Sequence, residues 1–305
     1  MTLSYDAVLL IAFGGPTCPE EIRPFLARVT QGIPIPAARL EEVAHHYEAV
    51  GGKSPLNAIT FRQANALKKV LNDQLPFYVG MRNSSPFFSE TLKEMARDGV
   101  KRALGFILSS HRTEASWERY QKNIADARAE IGGAAPEVGY CDGWHDQPLF
   151  IQAWAELIQA AMTSLDVDTR GRTPVIFTAH SLPTAMAARS PYVEQLTTSA
   201  KLIAAKLHHP RWSLAYQSRS GRPTDPWLEP DIGRAIRDLA AQGEKLIVVA
   251  PIGFVCDHVE VLYDLDIEAK KIATDLGVNL IRASCPNDHP TFIRMIAEVI
   301  EQAIS

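Results

Sequence analysis

Residues 174–183 read PVIFTAHSLP, and this stretch indicates the architecture of the whole chain. A short apolar and β-branched run comes first, and a polar loop begins at His180. A run of this kind, bounded by prolines, is typical of a buried strand in a parallel sheet. Ligands of α/β proteins bind just outside the carboxyl ends of such strands. His180 is therefore the first candidate for a functional residue.

The alternation of short apolar runs with longer helical segments continues along the chain. It predicts eight strands, four in each half: Ala7–Phe13, Pro76–Met81, Arg102–Leu108, Glu137–Tyr140, Pro174–Thr178, Ser213–Gln217, Lys245–Pro251 and Asn279–Arg282. The later strands of each half recur at roughly 25 to 35 residues, which leaves room for a crossover helix between parallel strands. The pattern predicts an α/β protein with two Rossmann-like domains, each a four-stranded parallel sheet flanked by helices.

The junction between the two predicted domains lies near Asp142–Leu149. We expect an N-terminal domain over residues 1–145 and a C-terminal domain over residues 146–305, with the last helix, Pro290–Ile304, free to pack back on the first domain. The stretch from Asp168 to Thr173 is predicted to be a polar loop, and Val259–Leu276 to be helical.

Composition excludes several classes of protein. The 305 residues include 31 Lys and Arg against 35 Asp and Glu, a net charge of −4 that argues against a broad nucleic-acid surface. No run approaches the roughly 20 apolar residues that a membrane-spanning helix needs, and no basic leader precedes the first strand. The four cysteines lack the spacing of a metal site. We expect a cytoplasmic enzyme with free thiols and no iron–sulfur cluster.

Three carboxylates recur at helical spacing near the end of the chain. Glu260, Asp264 and Glu268 are spaced i, i+4 and i+8, so an α-helix places them on one face. Like charges at this spacing destabilise an isolated helix, and the plainest interpretation is a solvated acidic face. No cationic partner at i+3 or i+4 occurs until Lys271, however, and oxygen ligands suit divalent metals. With His258 beside them and His180 at a strand end, we favour metal handling.

Five motifs together carry a family resemblance. They are Phe13-Gly14-Gly15-Pro16, the run from Tyr47 to Leu56 (YEAVGGKSPL), the run from Phe177 to Pro183 (FTAHSLP), the run from Tyr216 to Gly221 (YQSRSG) with Trp227-Leu228, and the run from Pro251 to Glu268 (PIGFVCDHVEVLYDLDIE). Through them the sequence resembles the ferrochelatases, which insert ferrous iron into a porphyrin, nearly from end to end. The His-Ser-Leu-Pro and Asp-His-x-Glu segments are highly specific.

The resemblance implies a porphyrin cleft between the two domains and a lyase activity in haem biosynthesis. His180 and Glu260 would be the catalytic pair that binds the inserting iron. Asp264 and Glu268 would lead outward as a second cation site, with Mg²⁺ as the candidate ion. Fe²⁺ and the porphyrin are both substrates, and no organic cofactor is expected. The expected partners are these two substrates, no nucleic acid, and the next enzyme of the haem pathway in a transient contact.

Within the family, the Gly-Phe-Val-x-Asp-His segment is most similar to the soluble coproporphyrin III type. The substrate-binding residues carried over or inferred from this resemblance are Phe13, His46, Tyr47, Ser54, Arg112, Tyr120 and Ser218. The sequence departs from that type because Phe13 replaces a tyrosine that caps the iron, and Thr30 and His46 replace arginines. We therefore expect the porphyrin propionates to be anchored differently, with Arg112 and Arg219 as the candidates.

Three alternatives remain open from the sequence. The porphyrin could be protoporphyrin IX, with protohaem as the product. The chain could instead load cobalt or nickel into another tetrapyrrole. A haem-binding module without catalysis is the alternative from another class, although such a module would not need the stack formed by Glu260, Asp264 and Glu268.

Overall fold

The computed structural model describes residues 4–32, 35–220 and 225–304. Within these ranges, eight strands form two separate four-stranded sheets in which every pairing is parallel. The strands are β1 Ala7–Ala12, β2 Phe77–Met81, β3 Arg102–Ile107, β4 Glu137–Tyr140, β5 Val175–His180, β6 Trp212–Gln217, β7 Leu246–Ala250 and β8 Asn279–Arg282. The predicted fold class is confirmed, and each predicted strand is present within two residues of its expected ends.

Helices flank both sheets. In the described residues the α-helices are α1 Pro19–Val29, α2 Ala37–Ala49, α3 Leu56–Val70, α4 Phe88–Arg97, α5 Arg119–Ile131, α6 Pro148–Ala161, α7 Val167–Arg172, α8 Thr184–Ala187, α9 Tyr192–Lys206, α10 Ile232–Ala241, α11 Val259–Tyr263, α12 Lys270–Asp275 and α13 Pro290–Ile304. Two π-helical segments, Glu114–Glu118 and Asp264–Ala269, and a 3₁₀ turn, Gly132–Ala134, complete them.

The two sheets have the same strand order. It is β2-β1-β3-β4 in the first and β6-β5-β7-β8 in the second, so the first strand of each half lies inside its sheet. Such interior strands are buried on both faces and read as continuous apolar runs. The side chains of Ala7–Ala12 accordingly are at most 3% exposed. In the second sheet β5 pairs with β6 on one side and with β7 on the other, which creates a topological switch point. Ligands of open α/β sheets generally bind at such points.

The predicted polar loop at residues 168–173 is wrong. Most of this segment belongs to the short helix α7, whose N-cap is Asp166. The Asp166 carboxylate accepts hydrogen bonds from the backbone N–H of Thr169 at 2.9 Å and from its hydroxyl at 2.6 Å. An N-cap aspartate satisfies donors that the first helical turn leaves unpaired. Gly171 concealed this helix in the sequence because glycine disfavours helix interiors.

The predicted helix Val259–Leu276 is also modified. The chain is helical from Val259 to Asp275, but its middle, Asp264–Ala269, is π-helical. A π-helix has i→i+5 hydrogen bonds and a wider turn than an α-helix, and such segments occur frequently at functional sites. The simple i, i+4, i+8 face expected from the sequence is therefore interrupted at Asp264.

The chain divides into two compact units. The first consists of the described parts of Met1–Ser109, Glu114–Gly143 and Phe292–Ser305, and the second of the described parts of Ser110–Thr113 and Trp144–Thr291. The core of the first unit gathers the inner side chains of β1 and β3 with those of α4 and α5. Trp144, Trp154 and Phe177 are among the fully buried side chains of the second. Among the helices described, none is both long and apolar enough to traverse a membrane.

Candidate active site

His180 is the last residue of β5 and lies opposite Gln217 in the β5–β6 ladder. Its Nδ1 lies 2.5 Å from the carbonyl oxygen of Ser181, and a carbonyl can only accept a hydrogen bond. Nδ1 must therefore carry the proton, and in the neutral imidazole Nε2 keeps its lone pair. The backbone at His180 is fixed by the Tyr192 hydroxyl, which donates to the His180 carbonyl at 3.0 Å.

The free nitrogen of His180 faces Glu260 in α11. His180 Nε2 lies 3.8 Å from Glu260 Oε2, and the side chains are 30% and 46% exposed respectively. Two ligands of one metal ion, each about 2.1 Å from it, lie roughly 3 Å apart. The observed separation is slightly wider, so a small side-chain movement would let the pair share one ion. The structure thus brings together the two residues that the sequence singled out.

A buried amide holds α11 against the ends of the strands. The Gln217 side chain is 1% exposed; its Nε2 donates to the Glu260 carbonyl at 3.0 Å, and its Oε1 accepts from the Thr178 hydroxyl at 2.9 Å. Buried polar groups of this kind need every hydrogen bond they can make. Gln217 and Thr178 therefore position the backbone of Glu260 relative to β5. Neither role was predicted from the sequence, although Gln217 directly precedes the predicted residue Ser218.

Asp264 follows Glu260 by four residues along the helical segment, and its pKa is raised. Its carboxylate accepts a hydrogen bond from the Ser218 hydroxyl, and Ser218 itself adopts a positive φ of 63°. Burial, together with the charges of Glu260 and Glu268, raises the pKa of Asp264 to about 7, although the hydrogen bonds from Ser218 and Gln217 lower it. A proton can thus relieve the like-charge repulsion in the metal-free protein. Glu268 is exposed.

Glycine at position 253 lets the loop after β7 approach β5 closely. The Gly253 N–H donates to the Thr178 carbonyl at 3.0 Å, and a Cβ at Gly253 would lie 2.5 Å from the Ala179 Cβ. The loop continues through Phe254, whose ring packs edge-on against His258 at 4.9 Å, and His258 is the N-cap of α11. Burial lowers the pKa of His258, which favours the neutral imidazole. The glycine therefore controls where α11 begins.

Several predicted substrate-binding residues lie in the first unit. Phe13 and Tyr47 both pack edge-on against Phe25, at 6.1 and 5.9 Å between ring centroids. Ser54 is 7% exposed and packs directly against Gly15. His46 is half-buried, and its pKa is lowered by burial and by the charge of Arg39.

The remaining predicted residues have different environments. Tyr120 is 5% exposed within the hydrophobic core, with its ring edge-on to Phe88 at 6.4 Å. Arg112 is exposed, and its backbone N–H donates to Gln195 Oε1 at 2.7 Å. Arg219 is exposed and donates to the Asp225 carbonyl at 2.8 Å. Their roles toward a substrate remain predictions.

Arg82 is a candidate ligand-binding residue that was not predicted from the sequence. Its half-buried guanidinium lies 6.0 Å from the centre of the Phe13 ring. Burial lowers its pKa, the neighbouring Tyr120 raises it and the charge of Arg119 lowers it, and no carboxylate of the described residues pairs with it. A half-buried cation without an anionic partner is unusual and suits a negatively charged ligand. Its position next to Phe13 could not be read from the sequence.

The described residues contain no group of three or more His, Cys, Asp and Glu side chains arranged to hold a metal ion. The predicted metal-binding residues His180, Glu260, Asp264 and Glu268 are instead arranged as an imidazole–carboxylate pair with two further carboxylates along the helix. A site that binds iron only transiently does not need a complete set of protein ligands. Such a site does need a base for protons and a charge for the ion, and an imidazole facing a carboxylate, as His180 faces Glu260, has the chemistry for both.

Comparison with known proteins identifies the family. A family model described as Ferrochelatase matches residues 5–304. The chain belongs to the ferrochelatase family. Ferrochelatases are lyases that insert iron into porphyrin, so iron and porphyrin are the substrate classes of this enzyme and the non-enzymatic alternative no longer applies.

Curated ferrochelatases are similar to the chain over nearly its whole length. The coproporphyrin III ferrochelatase of Nocardia farcinica is 43% identical over 98% of this chain and 88% of that protein. The coproporphyrin III ferrochelatase of Mycolicibacterium smegmatis is 39% identical over 99% and 91%. The ferrochelatase of Rhodopirellula baltica is 40% identical over 98% and 86%.

Solved structures support the fold. SirB from Bacillus subtilis has a TM-score of 0.60 at 9% identity, and covers 98% of this chain and 95% of its own. CbiX, described as the terminal enzyme of sirohaem biosynthesis in denitrifying bacteria, has a TM-score of 0.57 at 16% identity, over 98% and 100%. At these identities the similarity concerns the fold alone, and it shows that the two-sheet architecture is shared with chelatases.

Proposed function

We propose that this ferrochelatase inserts Fe²⁺ into coproporphyrin III and releases Fe-coproporphyrin III, with His180 and Glu260 as the catalytic residues. The observation that carries the chemistry is the approach of His180 Nε2 to Glu260 Oε2 at 3.8 Å, with Nδ1 committed to Ser181. The choice of porphyrin is supported by relatives 39 to 43% identical that are named coproporphyrin III ferrochelatases.

Insertion requires two pyrrole protons to leave while the ring nitrogens replace water on Fe²⁺. His180 Nε2 accepts one proton, and the imidazolium that forms is stabilised by the facing Glu260 carboxylate. Glu260 supplies the charge that attracts Fe²⁺ and accepts the second proton once the ion has moved to the ring. His180 can bind iron or hold a proton but not both at once, so the two steps must alternate.

A flat porphyrin directs its N–H groups inward, so the ring must be held distorted while the metal enters. Remote contacts supply the energy for such distortion, typically about 1–5 kcal/mol. We propose that the first unit contributes these contacts through Phe13, Tyr47 and Arg82, and that Arg82 binds a propionate carboxylate. This assignment adds Arg82 to the arginines expected from the sequence, because its guanidinium is half-buried and lacks a carboxylate partner among the described residues.

A second divalent cation at Asp264 and Glu268 is also part of the proposal. Mg²⁺ is commonly held by one or two carboxylates together with several waters, which is compatible with a pair of carboxylates on a helix surface. The ion would displace the proton that the raised pKa of Asp264 retains. Stabilisation of the wild type by Mg²⁺ that disappears in Glu268→Gln would support this site, and equal stabilisation of both would contradict it.

We further propose a cytoplasmic location and a transient contact that passes the product to the next enzyme of the haem pathway. The four cysteines are all unpaired, which suits a reducing compartment. Fractionation of the source cells followed by immunodetection tests the location, and enrichment in the membrane pellet would contradict it.

The substrate assignment is tested by offering the purified enzyme Fe²⁺ with coproporphyrin III or with protoporphyrin IX under anaerobic conditions. The Soret band reports insertion in both cases. We expect the larger kcat/KM for coproporphyrin III. Equal or reversed values would contradict the choice of porphyrin and leave ferrochelatase activity in place. Parallel assays with Co²⁺ and Ni²⁺ test the remaining alternative of another metal.

A further inference from the structure

A partly buried ion network connects the end of β8 to the chain on either side of Glu260. Arg282, at the end of β8, donates from Nε and Nη2 to the two carboxylate oxygens of Asp266 at 2.6 and 2.8 Å. Its Nη1 donates to Asp257 Oδ1 at 2.7 Å. Asp257 also accepts from Asn287 Nδ2 at 2.7 Å and from the backbone N–H of Cys285 at 3.2 Å. The network therefore joins three separate segments of the second unit.

The two carboxylates bound by Arg282 are close in sequence to residues of the candidate site. Asp257 directly precedes His258, the N-cap of the helix that carries Glu260. Asp266 lies in the π-helix Asp264–Ala269, between Asp264 and Glu268. One guanidinium thus fixes the start of α11 and the wide turn that follows it.

The contacts of Arg282 with Asp257 and Asp266 have the geometry of a rigid support for the helical segment. The Arg282 and Asp257 side chains are 15% and 18% exposed, and the contact with Asp266 is bidentate, which fixes direction as well as distance. Although burial alone would lower the pKa of Arg282, the hydrogen bonds and charges of Asp266 and Asp257 raise it, so the guanidinium stays charged. Removing it would leave two carboxylates partly buried without their cation.

We propose that Arg282 is a positioning residue for metal binding. It holds the π-helical turn open, and thereby sets the separation of Asp264 and Glu268 from Glu260 along the path of the ion. The proposal rests on the proposed function in so far as the ion is the Fe²⁺ to be inserted. Supporting residues of this kind orient metal ligands, and their loss typically lowers metal affinity about 10- to 100-fold.

The test compares Arg282→Gln and Arg282→Lys with Lys271→Gln, which breaks the exposed ion pair between Lys271 and Asp275 on α12. Two readouts are used: Co²⁺ affinity by absorbance titration without porphyrin, and the KM values for Fe²⁺ and porphyrin. We expect Arg282→Gln to weaken Co²⁺ binding and raise the KM for Fe²⁺ roughly tenfold, with kcat and the porphyrin KM within a factor of about three. Arg282→Lys, which restores the charge without the bidentate contact, should recover part of the loss.

The proposal is overturned if Arg282→Gln folds and has the same Co²⁺ affinity and the same KM for Fe²⁺ as the Lys271→Gln control. Arg282 would then be a purely structural residue. If Arg282→Gln does not fold, Asp266→Asn decides by the same criteria, because it removes the charge and keeps the shape. A wild type that binds Co²⁺ but inserts iron into neither porphyrin would refute the proposed function alone. The effect of the variants on Co²⁺ affinity would still decide the role of Arg282.

Discussion

Ser218 turns its hydroxyl towards Asp264, yet burial and two neighbouring carboxylates keep the pKa of Asp264 near 7 instead of its ordinary 3.8. The folded protein therefore binds more protons than the unfolded chain between about pH 4 and pH 7. Over this range the contribution of Asp264 to the free energy of unfolding falls as the pH rises, because ionisation is easier in the unfolded chain. At neutral pH the group is divided between its two protonation states.

Asp264→Asn should remove this pH dependence in metal-free buffer. Asparagine stays neutral and can still accept the hydrogen bond from Ser218. The melting temperature of the variant should exceed that of the wild type by a margin that widens from pH 4 to pH 7 and then levels off. Thermal melts across the range measure it, and Asp275→Asn is the control that should keep the wild-type dependence. A constant margin would mean that Asp264 titrates as an ordinary surface carboxylate.

Arg82 gives the second prediction at the scale of a single residue. Arg82→Gln should raise the KM for a porphyrin with propionates roughly 10- to 150-fold, since a charge-assisted contact contributes about 1.5–3 kcal/mol, and should leave the KM for Fe²⁺ unchanged. Arg97→Gln is a matched control, because Arg97 is exposed in α4 and donates to the Lys93 carbonyl. Steady-state assays with each substrate varied in turn measure the effect. Equal porphyrin KM values for the two variants would exclude Arg82 as a propionate contact.

At the scale of the elements, the loop between β7 and α11 depends on Gly253. Alanine there would place its Cβ 2.5 Å from the Ala179 Cβ and 2.8 Å from the Ala179 Cα, neither of which can move without the backbone of β5. We expect Gly253→Ala to cost about 1–3 kcal/mol of stability through overpacking. It should also lower activity, because the displaced loop carries the start of α11.

The control for Gly253→Ala is Gly171→Ala. Gly171 lies in helix α7, and beyond its chain neighbours and the backbone of its own helix no described atom lies within 4 Å of a Cβ built there, so alanine should be neutral or stabilising. Denaturant unfolding and the insertion assay compare the two variants. Wild-type stability and activity in Gly253→Ala would show that the close approach to Ala179 does not position the site.

The strands and most helices could be predicted because their signals are local. Runs such as Leu246–Ala250 are apolar throughout, and helical periodicity marks segments such as Tyr192–Lys206. The π-helix Asp264–Ala269 could not be predicted, since its residues fit an α-helical period equally well. In the folded chain, Arg282 binds Asp266 from a strand 16 residues further along. Contacts of this range leave no trace in a local pattern.

At the scale of the whole molecule, the candidate site also contains residues that could be predicted from local motifs and residues that could not. His180 and Glu260 were predicted because specific motifs surround them, and the structure places them face to face. Gln217 and Arg282 were not predicted as support, because each acts on segments distant in sequence, 43 residues in the case of Gln217 and Glu260. Arg82 was not predicted because its partial burial, and the lack of a carboxylate partner for it among the described residues, exist only in the folded chain.

The proposed function assigns different tasks to the two compact units. The second carries the imidazole–carboxylate pair and the further carboxylates, to which we assign the protons and the metal. The first carries Phe13, Tyr47 and Arg82, which we assign to the porphyrin. Substitutions in the first unit should therefore change the KM for porphyrin, and those in the second should change kcat or the KM for Fe²⁺.

The most direct test of this account is the kcat of iron insertion for His180→Ala, Glu260→Gln and the double variant, each with a melting temperature near that of the wild type. A general base typically contributes 10²–10⁴-fold, so each single substitution should lower kcat at least about 100-fold. Because the two residues act as a unit, the double variant should be little slower than the slower single variant. More than a tenth of wild-type kcat in either single variant, or losses that multiply in the double variant, would contradict the account.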